Sequence, residues 1–415
     1  MIAAATRRVV VTGIGVITPI GTGLAAFRAG LRAERSAVRT LTRFDPSPFR
    51  THVAAQVDDF VPTDHLDSKR VKRLDRFGQF SVVAAQMALA DAEIDMTHED
   101  AERVGVMMGT ALGGVGYAEE QLGRYIQGGL RNVDATLALA VFGGASSCNI
   151  AIECGVQGPN ATNAMSCASG AIAIGEAWRL VKTGEADVMI AGGAEAPLAP
   201  LCFGAFALIR AMTTRNDDPA RASRPFDRDR DGFVMGEGSA VLILEERERA
   251  LARGARIYGE LRGYGTTNDA HHMTAPLPGG AQAARAMRTA LRTAGAVPAE
   301  VTWVNAHGSS TPLNDPTETE AMTQVLDEAL ATAWVSGTKG HHGHALGASG
   351  AFEAAISLLA IHDGFVPATV NLEHPDSACA VRHVPAGGLA LRPEVVVSNS
   401  FGFGGINASL VFARH

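Results

Sequence analysis

One short pattern, present twice, constrains this chain more than any other feature. Ala168-Ser-Gly-Ala171 recurs as Ala348-Ser-Gly-Ala351, and each copy opens an apolar helical stretch, AIAIGEAWRLV in one case and AFEAAISLLAI in the other. Each half then closes on a glycine followed by a hydrophobic strand, at residues 238–244 and 405–412. A duplicated unit is the simplest explanation. If the duplication is real, pseudo-symmetry brings the two helix starts toward a shared centre. No Pro/Ser linker or low-complexity run separates the halves, so the expectation is two halves fused around one interface.

The local pattern agrees. Residues 8–13 (RVVVTG), 104–108, 189–194 and 240–244 carry the β-branched and apolar runs of buried strands, while 67–94 and 172–181 have helical periodicity. Strands alternating with helices mean an α/β sheet. The apolar stretch 9–27 is interrupted by Gly13, Gly15, Pro19, Gly21 and Gly23, so it reads as strand, glycine loop and helix rather than as a targeting or membrane segment.

Composition narrows the function classes. A net charge of −7 leaves no excess of Lys and Arg for a nucleic-acid backbone. The five cysteines form neither a paired framework nor a CxxC spacing, which fits reduced thiols and a cytosolic location.

Among those cysteines, Cys167 stands apart. In NAMSCASGAIAIG an apolar run meets small residues at a helix start, where free N–H groups and the macrodipole favour a thiolate. A lowered thiol pKa is therefore expected. Most single cysteines are buried small hydrophobes, and Cys148, Cys154, Cys202 and Cys379 belong to that class. His307, in WVNAHGSSTPLND, follows a strand at 301–305 where a loop begins, a usual position for a functional side chain. His344 directly precedes the second copy of the repeat. Without further context each is a satisfied histidine. His341, His342 and His344 are packed too closely, with no nearby carboxylate or Cys, to be a metal site. The segment 399–407 (NSFGFGGIN) reads as a glycine loop whose N–H groups could serve an oxyanion; it lacks the order of a phosphate-binding loop.

Taken together, VVVTGIGVITPIG, GTALGGVG, GPNATNAMSCASG, DVMIAGGAEA, TTRNDDPARASRPFDRDRDGFVMGEG, NAHGSSTPLND, TKGHHGHALGASGAFEA and NSFGFGG resemble the β-ketoacyl-acyl-carrier-protein synthases of the thiolase superfamily, most closely synthase II, the elongating enzyme. The resemblance runs nearly end to end. It implies a thiolase fold, with duplicated βαβαβαββ halves at 1–255 and 256–415 giving five αβαβα layers. It implies Cys167 as the nucleophile holding the acyl chain, and His307 and His344 as the pair acting on malonyl-carrier protein. Lys339 matches the lysine beside the second histidine, and Glu353 the helix glutamate. The backbone N–H groups of Cys167 and Phe403 match an oxyanion hole, while Asp315 and Glu318 match scaffold positions. Ser309 and Thr311 correspond to hydroxyls on the pantetheine arm, Leu112 and Phe206 to the acyl pocket, and Phe401 and Phe403 to gating phenylalanines. Lys69, Arg70, Lys72 and Arg73, with Arg76 and Arg210, resemble the docking surface for acyl carrier protein.

The resemblance also implies a homodimer, with pairing to a homologous subunit as the alternative, and no cofactor or metal beyond the substrate's 4'-phosphopantetheine. Met165-Ser166, Ser309 and Gly340-His341-His342 depart from the frequent family residues, leaving chain length, saturation and fatty-acid versus polyketide or polyene duty open. A thiolase would need a second cysteine near 399–405, an initiating synthase an Asn in place of His344, and a chain-length-factor subunit loss of Cys167. A plain binding protein would show no special reactivity at Cys167.

Overall fold

A computed structural model describes residues 7–415. Ten strands carry the architecture: β1 (Val9–Thr18), β2 (Val104–Gly109), β3 (Asn160–Asn163), β4 (Val188–Glu195), β5 (Gly238–Glu246), β6 (Gly259–Asn268), β7 (Val301–Asn305), β8 (Trp334–Ser336), β9 (Val395–Gly402) and β10 (Ile406–Ala413). Six helices pack on them: α1 (Arg76–Asp91), α2 (Ala145–Cys154), α3 (Ser169–Thr183), α4 (Ala281–Ala294), α5 (Asn314–Leu326) and α6 (Ser349–Asp363). In the first half the spatial order is β3-β2-β4-β5-β1, and in the second β8-β7-β9-β10-β6. Both orders have parallel pairs through the first three strands and antiparallel pairs thereafter. The chain order in each half is βαβαβαββ, as the thiolase resemblance implies. β1 and β6 join the halves through Val10 opposite Glu260 and Val11 opposite Gly259.

Period-two alternation builds the layers. On β5, Leu242 and Leu244 face a central core with Trp178 of α3 and Phe352 and Ile356 of α6. Val241 and Ile243 face the other way, onto Phe80 and Val83 of α1. The second half repeats this, with Val397 of β9 and Val411 of β10 packed on Met287 of α4 and Met322 of α5. Helices thus cover both outer faces, and α3 and α6 fill the middle.

Three sequence readings are corrected here. The strand expected to end at Gly13 runs on to Thr18, so Gly15 lies inside β1 together with Gly13 rather than in a loop. They are glycines because α1 lies against them: a Cβ on Gly13 would stand 2.2 Å from Ala88 O, and one on Gly15 2.0 Å from Ala84 O. Gly263 and Gly265 of β6 stand in the same relation to Ala290 O and Ala286 O of α4, each at 2.2 Å. The helix expected over 67–94 is broken into a turn at Ser68–Val71 and α1, because Asp75 caps α1 by accepting from Gly78 N. The stretch 399–407, read as loop, belongs to β9 as far as Gly402 and to β10 from Ile406, and only the turn at 403–405 is irregular. Among the described residues no helix is long and apolar enough to cross a membrane.

The repeat marks the place where α3 and α6 meet. A Cβ on Gly170 would stand 2.9 Å from Gly347 O and 3.0 Å from Ala351 N, and one on Gly350 would stand 2.8 Å from Ala171 N. Only residues without a side chain let the two helix starts approach this closely.

Candidate active site

Cys167 sits in a single 3₁₀ turn (Ser166–Ala168) immediately ahead of α3. Ser166 before it is held at φ 51°, a left-handed conformation that non-glycine residues adopt at a cost of roughly 1–3 kcal/mol. Its counterpart ahead of α6, Leu346, has φ 41°. Ser169 Oγ secures the first elbow by contacting both Ser166 O (2.7 Å) and Thr110 O (2.9 Å). The thiol is 6% exposed and opens into a cleft of roughly 270 Å³. His307, His344, Ser309, Thr311, Phe206, Phe401, Phe403 and Arg210 border the same cleft.

The expectation of a lowered thiol pKa does not hold. Burial pushes the Cys167 thiol above its ordinary value, against the pull of the Ser166 hydroxyl, the Lys339 charge and the Phe403 backbone N–H. The elbow that exposes the sulfur to the cleft also removes it from bulk water.

The two histidines approach edge to face, with ring centroids 5.4 Å apart. Their back-side partners determine which nitrogen faces the cleft. Lys339, fully buried, donates to His307 Nδ1 at 3.3 Å, to His307 O, and to Glu353 Oε1. With Nδ1 accepting, the ring proton of neutral His307 is on Nε2. His344 Nδ1 lies 2.7 Å from Ser349 Oγ, the hydroxyl's partner in this buried site. The hydroxyl proton needs an acceptor there, so Ser349 donates and His344 also carries its proton on Nε2. Burial, reinforced by the Lys339 charge, holds both pKa values well below the usual histidine value, so both rings are neutral at pH 7. The site therefore presents two neutral N–H donors beside a buried thiol.

Behind this front the acids act on backbone. Glu318 accepts from His307 N (2.8 Å) and Gly308 N (2.9 Å), and Asp315 accepts from Phe226 N (2.8 Å). Glu353 pairs with Lys339; burial pushes its pKa up, and the Lys339 charge and hydrogen bond pull against that rise. Ser309 and Thr311 bond to each other at 2.9 Å on the cleft wall. Phe206 stacks on Phe403 with centroids 6.4 Å apart, and the aromatic wall continues through Phe233 to His344. Leu112 does not border the open cleft. It packs in the apolar cluster containing Cys167 and Phe203. His341 contacts Ala368 O at 3.1 Å and His342 packs on Phe352.

The basic run is not uniform. Lys69, Lys72 and Arg73 are exposed and form no ion pair among the described residues, and Arg210 stands at the cleft mouth. Arg70 is spent on Glu153 (2.8 Å) and Asn149 (3.2 Å). Arg76 must be removed from the run, because its guanidinium pairs with buried Glu237 and lies over Phe80. Sequence reasoning missed Ser349, although it lies within the repeat itself. It also missed Glu195, whose signal was a charged residue ending an apolar strand.

Two family models match most of the chain, the beta-ketoacyl synthase N-terminal domain at residues 6–250 and the C-terminal domain at 258–373. A 3-oxoacyl-[acyl-carrier-protein] synthase 2 from Synechocystis sp. is 47% identical over 409 residues, covering 99% of this chain and 98% of that relative. Among solved structures, the ishigamide ketosynthase/chain length factor superposes with a TM-score of 0.93 at 36% identity, covering 99% of this chain and 100% of the other. A type II polyketide ketosynthase solved in complex with its acyl-carrier protein superposes with a TM-score of 0.92 at 33% identity, with the same coverage.

Proposed function

The chain belongs to the β-ketoacyl synthase family, and from that premise we propose that it is an elongating β-ketoacyl-acyl-carrier-protein synthase of type II fatty-acid synthesis. The higher identity to the synthase 2 relative than to the type II polyketide ketosynthase favours this duty over a polyketide one. The observation that carries the reading is the cleft shared by the Cys167 thiol and two neutral imidazoles with outward Nε2–H groups.

In the first half-reaction the Cys167 sulfur attacks the thioester carbonyl of acyl-carrier protein. The N–H groups of Cys167 and Phe403 hold the oxyanion, and the carrier's thiol leaves with the proton. In the second, His307 and His344 donate from Nε2 to the thioester oxygen of malonyl-carrier protein. The carbon–carboxylate bond breaks, carbon dioxide departs, and the electron pair becomes the enolate that these two donors stabilise. The enolate carbon attacks the acyl-Cys167 carbonyl, and collapse of that intermediate releases the β-ketoacyl product and returns the sulfur to Cys167. Lys339 keeps His307 in the donating tautomer. The pantetheine arm belongs to the carrier protein, so the reaction uses no cofactor of the enzyme's own.

The carrier docks on Lys69, Lys72, Arg73 and Arg210 in this reading, an acidic partner meeting a local basic surface on an acidic enzyme. The assembly is a homodimer. Support comes from the exposed Leu122, Tyr125 and Ile126 of the Val115–Gly128 helix and from β3, which among the described residues ends the sheet with one side unpaired.

Reconstitution with malonyl- and acyl-carrier protein tests the reading. The expected result is a β-ketoacyl product that disappears in Cys167→Ala. His307→Ala and His344→Ala should each abolish malonyl decarboxylation while sparing acyl transfer to Cys167. Loss of acyl transfer alone in the histidine variants would overturn the assigned roles.

A further inference from the structure

Glu195 ends β4 fully buried beneath Cys167, and the condensation chemistry described above makes no use of it. Its carboxylate receives four hydrogen bonds from two separate parts of the chain. Oε1 accepts from Thr110 Oγ1 (3.0 Å) and Leu112 N (3.1 Å). Oε2 accepts from Ala111 N (2.5 Å) and Gly347 N (3.0 Å). The first segment carries Leu112 into the apolar cluster around Cys167. The second is the turn between His344 and α6, where Gly347 is so close that a Cβ would stand 2.4 Å from Ala111 N and 2.7 Å from Glu195 Oε2. One side chain therefore joins the wall beside the nucleophile to the turn behind the second histidine.

We propose that Glu195 is a positioning residue for chain-length selection, setting the Leu112 segment against the His344 turn so that the acyl pocket and the decarboxylation site keep a fixed relation. This rests on the functional reading given above. Four donors converging on one buried carboxylate satisfy it fully, and losing that acceptor would leave three backbone N–H groups and the Thr110 hydroxyl without it. Burial pushes its pKa up to about 7 against the pull of those donors.

Glu195→Gln is the discriminating variant. Thr110 Oγ1 is the one partner that can turn from donor to acceptor, so the new amide NH2 should take the place of Oε1. Leu112 N–H is then left without an acceptor, while Ala111 and Gly347 keep theirs. The experiment measures acyl transfer to Cys167 by intact-protein mass spectrometry over a series of acyl-carrier proteins, and carbon dioxide release from malonyl-carrier protein in parallel. The expected result is a change of about tenfold in the ratio of kcat/KM for long against short chains, with decarboxylation retained within about twofold. Thr110→Val, which removes the hydroxyl and keeps the shape, should shift the same ratio by about threefold and carries the test if Glu195→Gln does not fold. An unchanged chain-length profile in protein that acylates normally overturns this inference alone, as does a uniform fall of both half-reactions. Wild-type protein that takes no acyl chain on Cys167 overturns the functional reading as well.

Discussion

Lys339 Nζ lies 3.3 Å from His307 Nδ1, and this contact decides which nitrogen of His307 faces the cleft. The ammonium spends its remaining donors on His307 O and Glu353. Removing it frees the His307 tautomer and strands a buried carboxylate, a combination that destabilises by about 3–5 kcal/mol when one partner of a buried pair is lost. The informative variant is therefore Lys339→Met combined with Glu353→Gln, which removes both charges. Decarboxylation of malonyl-carrier protein should fall by about 100-fold, with acylation of Cys167 largely retained. Decarboxylation at the wild-type rate would dismiss the tautomer argument.

The helix crossing makes a stability prediction with an internal control. A methyl group at Gly350 would stand 2.7 Å from Ser400 Oγ and 2.8 Å from Ala171 N, so Gly350→Ala must push the central helices apart and should cost about 1–3 kcal/mol. Gly123, inside the Val115–Gly128 helix, has nothing within 4 Å of an added Cβ. Gly123→Ala should stabilise by about 0.5–1 kcal/mol. Urea denaturation of both variants against wild type measures the contrast, and equal effects would contradict the crossing geometry.

How far the sequence could be read follows from the range of each interaction. The duplication was legible because both copies of Ala-Ser-Gly-Ala serve one packing event, which imposed the same residues twice. His307 and His344 were singled out by resemblance to a family. Their tautomers depend on Lys339 and on Ser349, contacts made in the folded site. The strand was cut short at Gly13 because a second glycine at 15 looks locally like the start of a loop; the helix that requires both glycines begins about sixty residues later. The thiol of Cys167 misled for the same reason, since a helix start is visible locally and desolvation is not. Arg76 looked like one more surface charge because Glu237, its partner, is 161 residues away in the chain.

Burial of Cys167 sets a pH dependence. A thiol whose pKa is raised has a small thiolate fraction at pH 7, and that fraction grows about tenfold per pH unit until the pKa is reached. Alkylation of Cys167 by chloroacetamide, followed site by site with mass spectrometry, should therefore climb steadily from pH 7 to pH 9. Cys148 is exposed and should react first at pH 7. His307 and His344 are already neutral throughout this range and should add no inflection. A Cys167 rate that levels off below pH 7 would mean a preformed thiolate.

Charge on the docking surface gives a prediction that separates binding from folding. Lys69, Lys72 and Arg73 are exposed and unpaired among the described residues, so reversing Lys69 and Lys72 to Glu breaks no ion pair among them. The double variant should raise KM for malonyl-carrier protein by about tenfold at low salt with kcat nearly unchanged. At about 0.5 M salt, where the Debye length is only a few ångströms, the gap from wild type should close. Arg70→Glu should behave differently, since Arg70 holds Glu153 and Asn149 and its reversal sets two carboxylates against each other. Thermal unfolding should therefore move for Arg70→Glu and not for the Lys69 and Lys72 pair. Kinetics at two salt concentrations, with melting curves for each variant, make the distinction. A KM that ignores both charge and salt would place the carrier elsewhere on the molecule.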